Sequence, residues 1–508
     1  MNDGPLEHRA AKVSLVNGIS TILAVGFQLV SVPICLHYWG KETYGSWLAL
    51  LSAYMLLRGL DSGYGAYVGN KLNYLYHHNT RALREHLSSA VFGIAAISLL
   101  QLVLVAGTLI LDPLSAMLGI PADHADGLPA KLGLVVLMTS WVLTGSYLGI
   151  VCRLLIPAGL MYQSAWWAMA FPVGQFAAVI GSATLRLNLL ETCLLCALSQ
   201  MLISVGTALY VRRMLPRFSP WLGGATTRIG FSDLGHSLQL TTSNLIQQGA
   251  TNGSVLLVSI MAGPIAVSIF TTIRTLTTLW NSVTTVLSTP LLPDVVRLHV
   301  NGEVKKLVAI NQAYWVLAGS AVNLGAILSY PLIPFLYDHW TAHAVALDQP
   351  LLCFLLCSVV LTNTGALMAL HLNGINSLRI GLGASTARAL LGLGGGALGF
   401  KYLGLTSFGL GILAGEVVAT LITARYFVKH EVKAKDSRMP MSDFGPVSLS
   451  TGAVLLFFIG AGVGWWSVGY VWLLAMLCVV IASVWGWNSL GPELQSRLKG
   501  IPIKLLGL

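Results

Sequence analysis

The chain has 508 residues, of which 55% are hydrophobic and only 9% are charged. A soluble domain carries about 25% charged residues, so this chain has too few charges to cover several globular surfaces, and a soluble enzyme is excluded. The 29 basic and 19 acidic residues give a net charge of +10, which in a membrane protein must first be assigned to the two sides of the bilayer.

Apolar stretches of bilayer length recur along the whole chain. A membrane-spanning helix takes about 20 apolar residues, and runs of this length are separated here by short breaks rich in Gly, Pro and charged residues. The pattern predicts an all-α integral membrane protein with about 14 transmembrane helices. They are predicted near 11–36, 44–67, 88–111, 131–155, 163–185, 189–211, 236–261, 264–291, 308–336, 350–375, 379–400, 405–428, 447–466 and 470–490.

Most of the basic residues lie on one side of this predicted topology. With the N-terminus inside, 22 of the 29 basic residues, including Arg153 at the end of the fourth predicted helix, fall on the cytoplasmic side, 4 fall outside, and the rest lie within helices. Because basic loops stay on the cytoplasmic side, both termini are predicted to be cytoplasmic. The basic cluster of Lys429, Lys433, Lys435 and Arg438 is expected to meet anionic membrane lipids rather than nucleic acid.

The first twelve predicted helices divide into two pseudo-symmetric six-helix lobes, because helices one and seven are both unusually polar and both precede a short Gly-containing outer turn. The predicted divisions are an N-terminal lobe at 1–218, a C-terminal lobe at 219–430, and two further helices with a cytoplasmic tail at 431–508. The polar faces carry Asn17, Thr21 and Gln28 in helix one, and Asn244, Gln248 and Asn252 in helix seven. Polar groups are costly in hydrocarbon unless they face protein or water, so these faces are predicted to line an internal cavity. Hydrogen bonding between packed helices is the alternative.

Five ionisable side chains other than histidine fall inside the predicted helices, where a charge at the bilayer centre costs about 3 kcal/mol on insertion scales. Arg274, Arg388 and Glu416 are predicted near mid-membrane. The two arginines suit phosphate oxygens, and Arg274 is the stronger candidate because its helix has no acidic residue. Glu416 suits coupling to an ion gradient, with a salt bridge to Arg388 as the alternative. Arg58 and Asp61, three residues apart, are either functional or a local ion pair.

Nucleotide and metal sites find no support in the sequence. It contains no phosphate-binding loop of the kind that nucleotide hydrolases use, and its seven cysteines lie in or beside apolar segments without a histidine cluster. No cofactor or metal is therefore expected, and any energy that the chain requires would come from a gradient of H⁺ or Na⁺ across the membrane or from substrate supply.

Short motifs in both halves resemble a known family. They are Pro33 late in helix one, the run Trp39-Gly40-Lys41-Glu42-Thr43-Tyr44-Gly45-Ser46-Trp47, the run Leu60-Asp61-Ser62-Gly63-Tyr64-Gly65, Gly69-Asn70-Lys71-Leu72, Phe270-Thr271-Thr272-Ile273-Arg274-Thr275-Leu276, and Pro290-Leu291-Leu292-Pro293. Together with the helix count, they resemble the polysaccharide flippases, or O-antigen and lipid-linked oligosaccharide translocases, of the multidrug/oligosaccharidyl-lipid/polysaccharide (MOP) superfamily.

The resemblance implies a transporter of the cell inner membrane rather than an enzyme. A member of this family would move an undecaprenyl-diphosphate-linked oligosaccharide from the cytoplasmic to the periplasmic leaflet by alternating access, in lipopolysaccharide or other polysaccharide biosynthesis and alongside polysaccharide-assembly proteins. The candidate substrate-binding residues are Arg274, Arg388, Arg58, Asn17, Gln28, Asn244 and Gln248, and the candidate ion-coupling residues are Glu416 and Asp61.

Three other functions remain open at this stage. A cation or drug antiporter of the same superfamily would carry acidic cavity residues, whereas basic residues predominate here near mid-membrane. A membrane-embedded polysaccharide polymerase or ligase would need a large external loop, which the topology lacks. A purely structural scaffold is disfavoured by the charges inside the predicted helices.

Overall fold

The computed structural model of the chain describes residues 6–110, 127–288, 291–375, 377–433, 445–465, 468–490 and 495. These residues form helices and short connections and include no β-strand. Helices satisfy every backbone N–H and C=O within their own segment, as hydrocarbon requires. The all-α membrane fold predicted from composition is confirmed; within the predicted lipid-binding cluster, Lys435 and Arg438 lie outside the described residues.

The α-helices are numbered here in chain order. They are α1 Leu6–His78, α2 Thr80–Ile110, α3 Gly127–Ser140, α4 Ser146–Cys152, α5 Met161–Thr184, α6 Leu189–Met214, α7 Thr227–Gln248, α8 Ser254–Ser288, α9 Leu292–Val300, α10 Val304–Tyr314, α11 Ser320–Ser329, α12 Ile333–Trp340, α13 Gln349–Gly374, α14 Leu378–Ala389, α15 Gly396–Leu403, α16 Thr406–Phe427, α17 Gly445–Val463 and α18 Val468–Ser489. Wider π-helical turns occur at Trp141–Gly145, Gly249–Gly253, Trp315–Gly319, Leu390–Gly395 and Val428–Lys433.

Ten stretches of the described residues are long and apolar enough to cross a membrane. Two of them, Gly18–His78 and Thr227–Ser288, span 61 and 62 residues, far more than the roughly 20 that one crossing needs. Each bends sharply at one glycine, Gly40 at φ 75° and Gly263 at φ 78°, a left-handed conformation that favours a residue without Cβ. All fourteen predicted segments overlap helices, but the number of crossings stays a prediction.

The chain divides into two compact units, Met1–Thr271 with Trp340–Val345, and Thr272–His339 with Ala346–Leu508. The lobe boundaries predicted at 218/219 and 430/431 stay a prediction. In the first unit, α1 passes close to α7, because a Cβ on Gly63 would lie 2.3 Å from the backbone N and Cα of Thr241. Small residues of this kind let membrane helices approach closely.

An ionic cluster joins three helices of the first unit. Asp233 of α7 is 1% exposed; its Oδ1 accepts a hydrogen bond from Lys71 of α1 at 2.9 Å, and its Oδ2 accepts one from His86 of α2 at 2.8 Å. A buried carboxylate needs such partners. Gly230 of α7 also lies against α2, since a Cβ there would be 2.4 Å from the carbonyl oxygen of Ser89. The cluster and the close approach together fix α7 against α1 and α2.

The core of the second unit surrounds α13. Its Asn363 is 1% exposed; Oδ1 accepts hydrogen bonds from Thr284 Oγ1 at 2.9 Å and Tyr314 OH at 3.1 Å, and Nδ2 donates to the carbonyl of Ala318 at 3.4 Å. Hydrogen bonds of this type join transmembrane helices in place of the hydrophobic effect, which is weak between surfaces that are as apolar as lipid.

Candidate functional site

The first unit contains a partly open cavity of about 750 Å³, within the range of roughly 300–1,000 Å³ typical of small-molecule sites. Its wall is formed by α1, the stretch from Trp141 to Ile156, α5, α6 and the end of α7. The charged and polar residues of the wall are Arg58, Asp61, Ser62, Ser146, Arg153, Ser164, Gln175, Ser204, Thr207 and Gln248. Trp141, Trp167 and Phe171 provide its aromatic surface.

Arg58 and Asp61 both contact Trp141. The Cζ atom of Arg58 lies 3.8 Å from the Trp141 ring centroid, and Trp141 Nε1 donates a hydrogen bond to Asp61 Oδ2 at 2.7 Å. Ser146 Oγ donates to the same carboxylate oxygen. Among the described residues Arg58 and Asp61 form no direct salt bridge with each other, although their opposite charges attract. The choice between a local ion pair and a functional role therefore stays a prediction.

The π-helical turn Trp141–Gly145 explains how Trp141 and Ser146 reach one carboxylate. In a regular α-helix, residues five apart point about 140° away from each other. Here the backbone N–H of Ser146 bonds to the carbonyl of Trp141, and this wider turn returns the fifth residue toward the same face. Gly145 permits the arrangement, because a Cβ there would lie 2.2 Å from the Trp141 ring.

Arg153 is a cavity residue that the sequence analysis assigned to a cytoplasmic segment. Its side chain lies along a groove on α1 left by Gly65 and Gly69; a Cβ on Gly69 would be 2.5 Å from Arg153 Cδ. The i, i+4 spacing of the two glycines was visible in the sequence and was a signal for a side chain packed against that face. The cavity therefore carries two arginines and one aspartate.

The seventh predicted helix contributes to this site. Gln248 lines the cavity and its Oε1 accepts a hydrogen bond from Asn252 Nδ2 at 2.6 Å. Asn244 does not line it, and instead donates to Ser62 Oγ across the helix contact at 3.2 Å. On this polar face Gln248 lines the cavity and Asn244 joins two helices. Both alternatives from the sequence, a cavity lining and hydrogen bonding between packed helices, therefore occur.

None of the described side chains on the polar face of the first predicted helix lines this cavity. Gln28 is exposed and is not part of the cavity wall. The side chain of Asn17 lies outside the described residues, so its predicted position is untested.

The second unit holds the other three candidates. Arg388 Nε of α14 donates to Glu416 Oε1 of α16 at 2.8 Å, where Gly415 brings the two helices close together: a Cβ on it would lie 2.9 Å from Arg388 Cα. The salt bridge named as an alternative is therefore present. Arg274 of α8 is half-buried and has interactions within the protein, so the argument from a guanidinium without a partner no longer supports its role.

Comparison with protein-family models and with curated protein sequences finds no match. Several solved structures do share the fold. The lipid II flippase MurJ in an inward-closed conformation is 15% identical with a TM-score of 0.64, over 93% of this chain and 97% of that chain. An inward-facing multidrug resistance MATE transporter is 15% identical with a TM-score of 0.58, over 83% and 100%. A MOP superfamily transporter from Pyrococcus furiosus is also 15% identical, with a TM-score of 0.56 over 85% and 96%. Identities this low establish the fold alone: the chain shares the helical membrane fold of these three transporters.

Proposed function

We propose that this chain translocates an undecaprenyl-diphosphate-linked oligosaccharide from the cytoplasmic to the periplasmic leaflet of a bacterial inner membrane by alternating access. The observation that supports this most is the composition of the cavity in the first unit. Arg58 and Arg153 both line it, and no described residue forms a salt bridge or hydrogen bond with either guanidinium. A cavity with two arginines in this state suits a ligand that brings its own negative charge.

A diphosphate fits this arrangement better than a neutral or cationic ligand does. Each guanidinium offers planar donors that match phosphate oxygens. Asp61 offsets the arginines only in part, because one carboxylate faces two guanidinium groups in the cavity wall. Gln175, Gln248 and the wall serines supply the few directed polar groups with which small-molecule sites orient ligands, and these groups suit sugar hydroxyls.

Energy for transport is proposed to come from an H⁺ or Na⁺ gradient. Asp61 is 6% exposed and borders the cavity, so uptake of a proton or a cation there would alter the charge next to the substrate. Glu416 stays a second candidate, in which coupling would require its bond to Arg388 to open. The same proposal places both termini in the cytoplasm and includes an association with polysaccharide-assembly proteins.

The second candidate function is cation or drug antiport. The observation in its favour is the buried carboxylate of Asp61 in the cavity wall, and multidrug transporters share the fold. The two functions require different charged residues of the cavity. An anionic substrate would bind to the arginines, whereas a cationic drug would bind to Asp61 and be repelled by the arginines.

The test measures glycan export in cells that depend on the chain, normalised to its abundance in the membrane. Arg58→Ala and Arg153→Ala should each lower normalised export at least about tenfold, the effect of losing a charged hydrogen-bond donor. Arg213→Ala is the matched control, because Arg213 is exposed in the last turn of α6. If both cavity variants export glycan normally and the chain confers drug resistance that depends on Asp61, the flippase proposal is refuted and the antiporter proposal is supported.

A further inference from the structure

Trp141 links the two oppositely charged residues of the cavity. Arg58 and Asp61 are three residues apart on α1, a spacing at which side chains on a helix meet. Opposite charges at this spacing attract strongly in a medium of low dielectric constant. In the structure they do not pair with each other, and both contact Trp141 instead.

The contact with Arg58 uses the face of the indole ring. Arg58 Cζ lies over this ring at 3.8 Å from its centroid, a distance of van der Waals contact, about 3.5–4.0 Å, at which a guanidinium is attracted to the ring face. The contact holds Arg58 in place without using its N–H groups as hydrogen-bond donors to another side chain, so they stay available to the cavity.

The contact with Asp61 uses the edge of the same ring. Trp141 Nε1 and Ser146 Oγ both donate to Asp61 Oδ2, and these bonds stabilise the carboxylate in addition to the charge of the nearby arginines. The position of the ring is set by the π-helical turn and by Gly145, whose missing side chain leaves the space that the ring occupies.

We propose that Trp141 is a positioning residue that keeps Arg58 from pairing with Asp61 and so presents the guanidinium to the diphosphate of the substrate. This inference rests on the proposed function, because it assumes that Arg58 binds an anion. It adds a specific consequence: without the indole ring, Arg58 turns to Asp61, and the cavity loses one of its two anion-binding groups while all of its charges remain.

The experiment measures the affinity of the purified full-length chain for inorganic pyrophosphate by titration calorimetry in detergent. Trp141→Leu removes both contacts and should weaken binding at least about tenfold, as far as Arg58→Ala does. Trp141→Phe keeps a smaller ring face for Arg58 and loses the N–H group that donates to Asp61, so its affinity should stay within about threefold of the unmodified chain. Trp485→Leu is the control, because Trp485 lies in α18 of the second unit.

The decisive variant is the double substitution Trp141→Leu with Asp61→Asn. An amide cannot form an ion pair with Arg58, so the double variant should bind pyrophosphate within about threefold of Asp61→Asn alone. Asp61→Asn is the reference because loss of the Asp61 charge by itself favours an anion. A merely structural role of Trp141 predicts a double variant at least about tenfold weaker than Asp61→Asn, and that result would overturn the proposal. If Trp141→Leu does not purify as a monodisperse protein, Trp141→Met carries the same expectation, because its flexible thioether chain fills space without offering a ring face.

Failure of the inference and failure of the proposed function give different results. If Arg58→Ala binds pyrophosphate as tightly as the unmodified chain, the anion site itself is refuted, and the role of Trp141 with it. If Arg58→Ala weakens binding but Trp141→Leu does not, only the positioning role is refuted.

Discussion

The ion pair between Arg388 and Glu416 should make removal of one partner costlier than removal of both. Arg388 Nε lies 2.8 Å from Glu416 Oε1, and the two side chains are 31% and 12% exposed. Glu416 Oε2 is buried and has no hydrogen-bond partner among the described residues. The carboxylate therefore depends on a single strong bond.

The magnitude follows from this geometry. Removing one partner of a fully buried pair costs about 3–5 kcal/mol, whereas replacing both is often close to neutral. Because almost a third of the Arg388 side chain is exposed, we expect about 2–3 kcal/mol for Arg388→Gln, which leaves the more buried charge alone. Glu416→Gln should cost less, about 1–2 kcal/mol, since the longer arginine side chain can reorient. The double variant should lie within about 1 kcal/mol of the unmodified chain.

The assay is unfolding of the purified chain in mixed micelles of increasing SDS content, analysed as a double-mutant cycle. The two single costs sum to about 3–5 kcal/mol and the double cost is at most about 1 kcal/mol, so the expected coupling energy is about 2–5 kcal/mol, in or above the upper part of the range for residues in contact. Additive effects, with a coupling energy below about 0.5 kcal/mol, would show that the pair contributes nothing to stability and would refute the reasoning from its burial.

Three further predictions concern helix packing and topology. Asp233→Asn should lower the unfolding free energy by about 2–3 kcal/mol in the same assay, because it weakens two charge-assisted hydrogen bonds; an unchanged value would show that Lys71 and His86 do not stabilise the fold. Gly63→Ala should reduce the amount of folded protein, since its Cβ would lie 2.3 Å from the Thr241 backbone, whereas Gly181→Ala, with nothing within 4 Å, should not. Equal yields of the two variants would contradict the close approach of α1 and α7. A C-terminal reporter that is active only in the periplasm should give no signal, because basic residues gather on the cytoplasmic side of the predicted topology; a strong signal would refute the even number of crossings.

The sequence predicted the helices well, because the length of an apolar run and the absence of charge decide whether a segment is helical in a membrane. It also selected Arg58, Asp61 and Gln248, which line the cavity, because polar groups inside apolar segments are costly and therefore informative.

The arrangement of side chains around those residues was not predictable from the same signals. Trp141 and Ser146 reach Asp61 only through a π-helical turn, and a pattern read at 3.6 residues per turn places them on different faces. Arg153 was counted as cytoplasmic because arginine at a helix end is typical of that side. The sequence did name the salt bridge between Arg388 and Glu416 as an alternative to ion coupling, but a choice between the two depends on the register of α14 against α16, which one sequence does not contain.

The most direct test of the account is translocation of a fluorescent polyprenyl-diphosphate-linked oligosaccharide in proteoliposomes that contain only this chain. Leaflet exchange is measured by quenching of the outer-leaflet probe under an imposed pH or Na⁺ gradient. The account predicts that the unmodified chain and Arg213→Ala move the lipid, and that Arg58→Ala combined with Arg153→Ala leaves it in its original leaflet at equal protein content. Equal translocation by the double variant would contradict the assignment of the first unit's cavity as the diphosphate site.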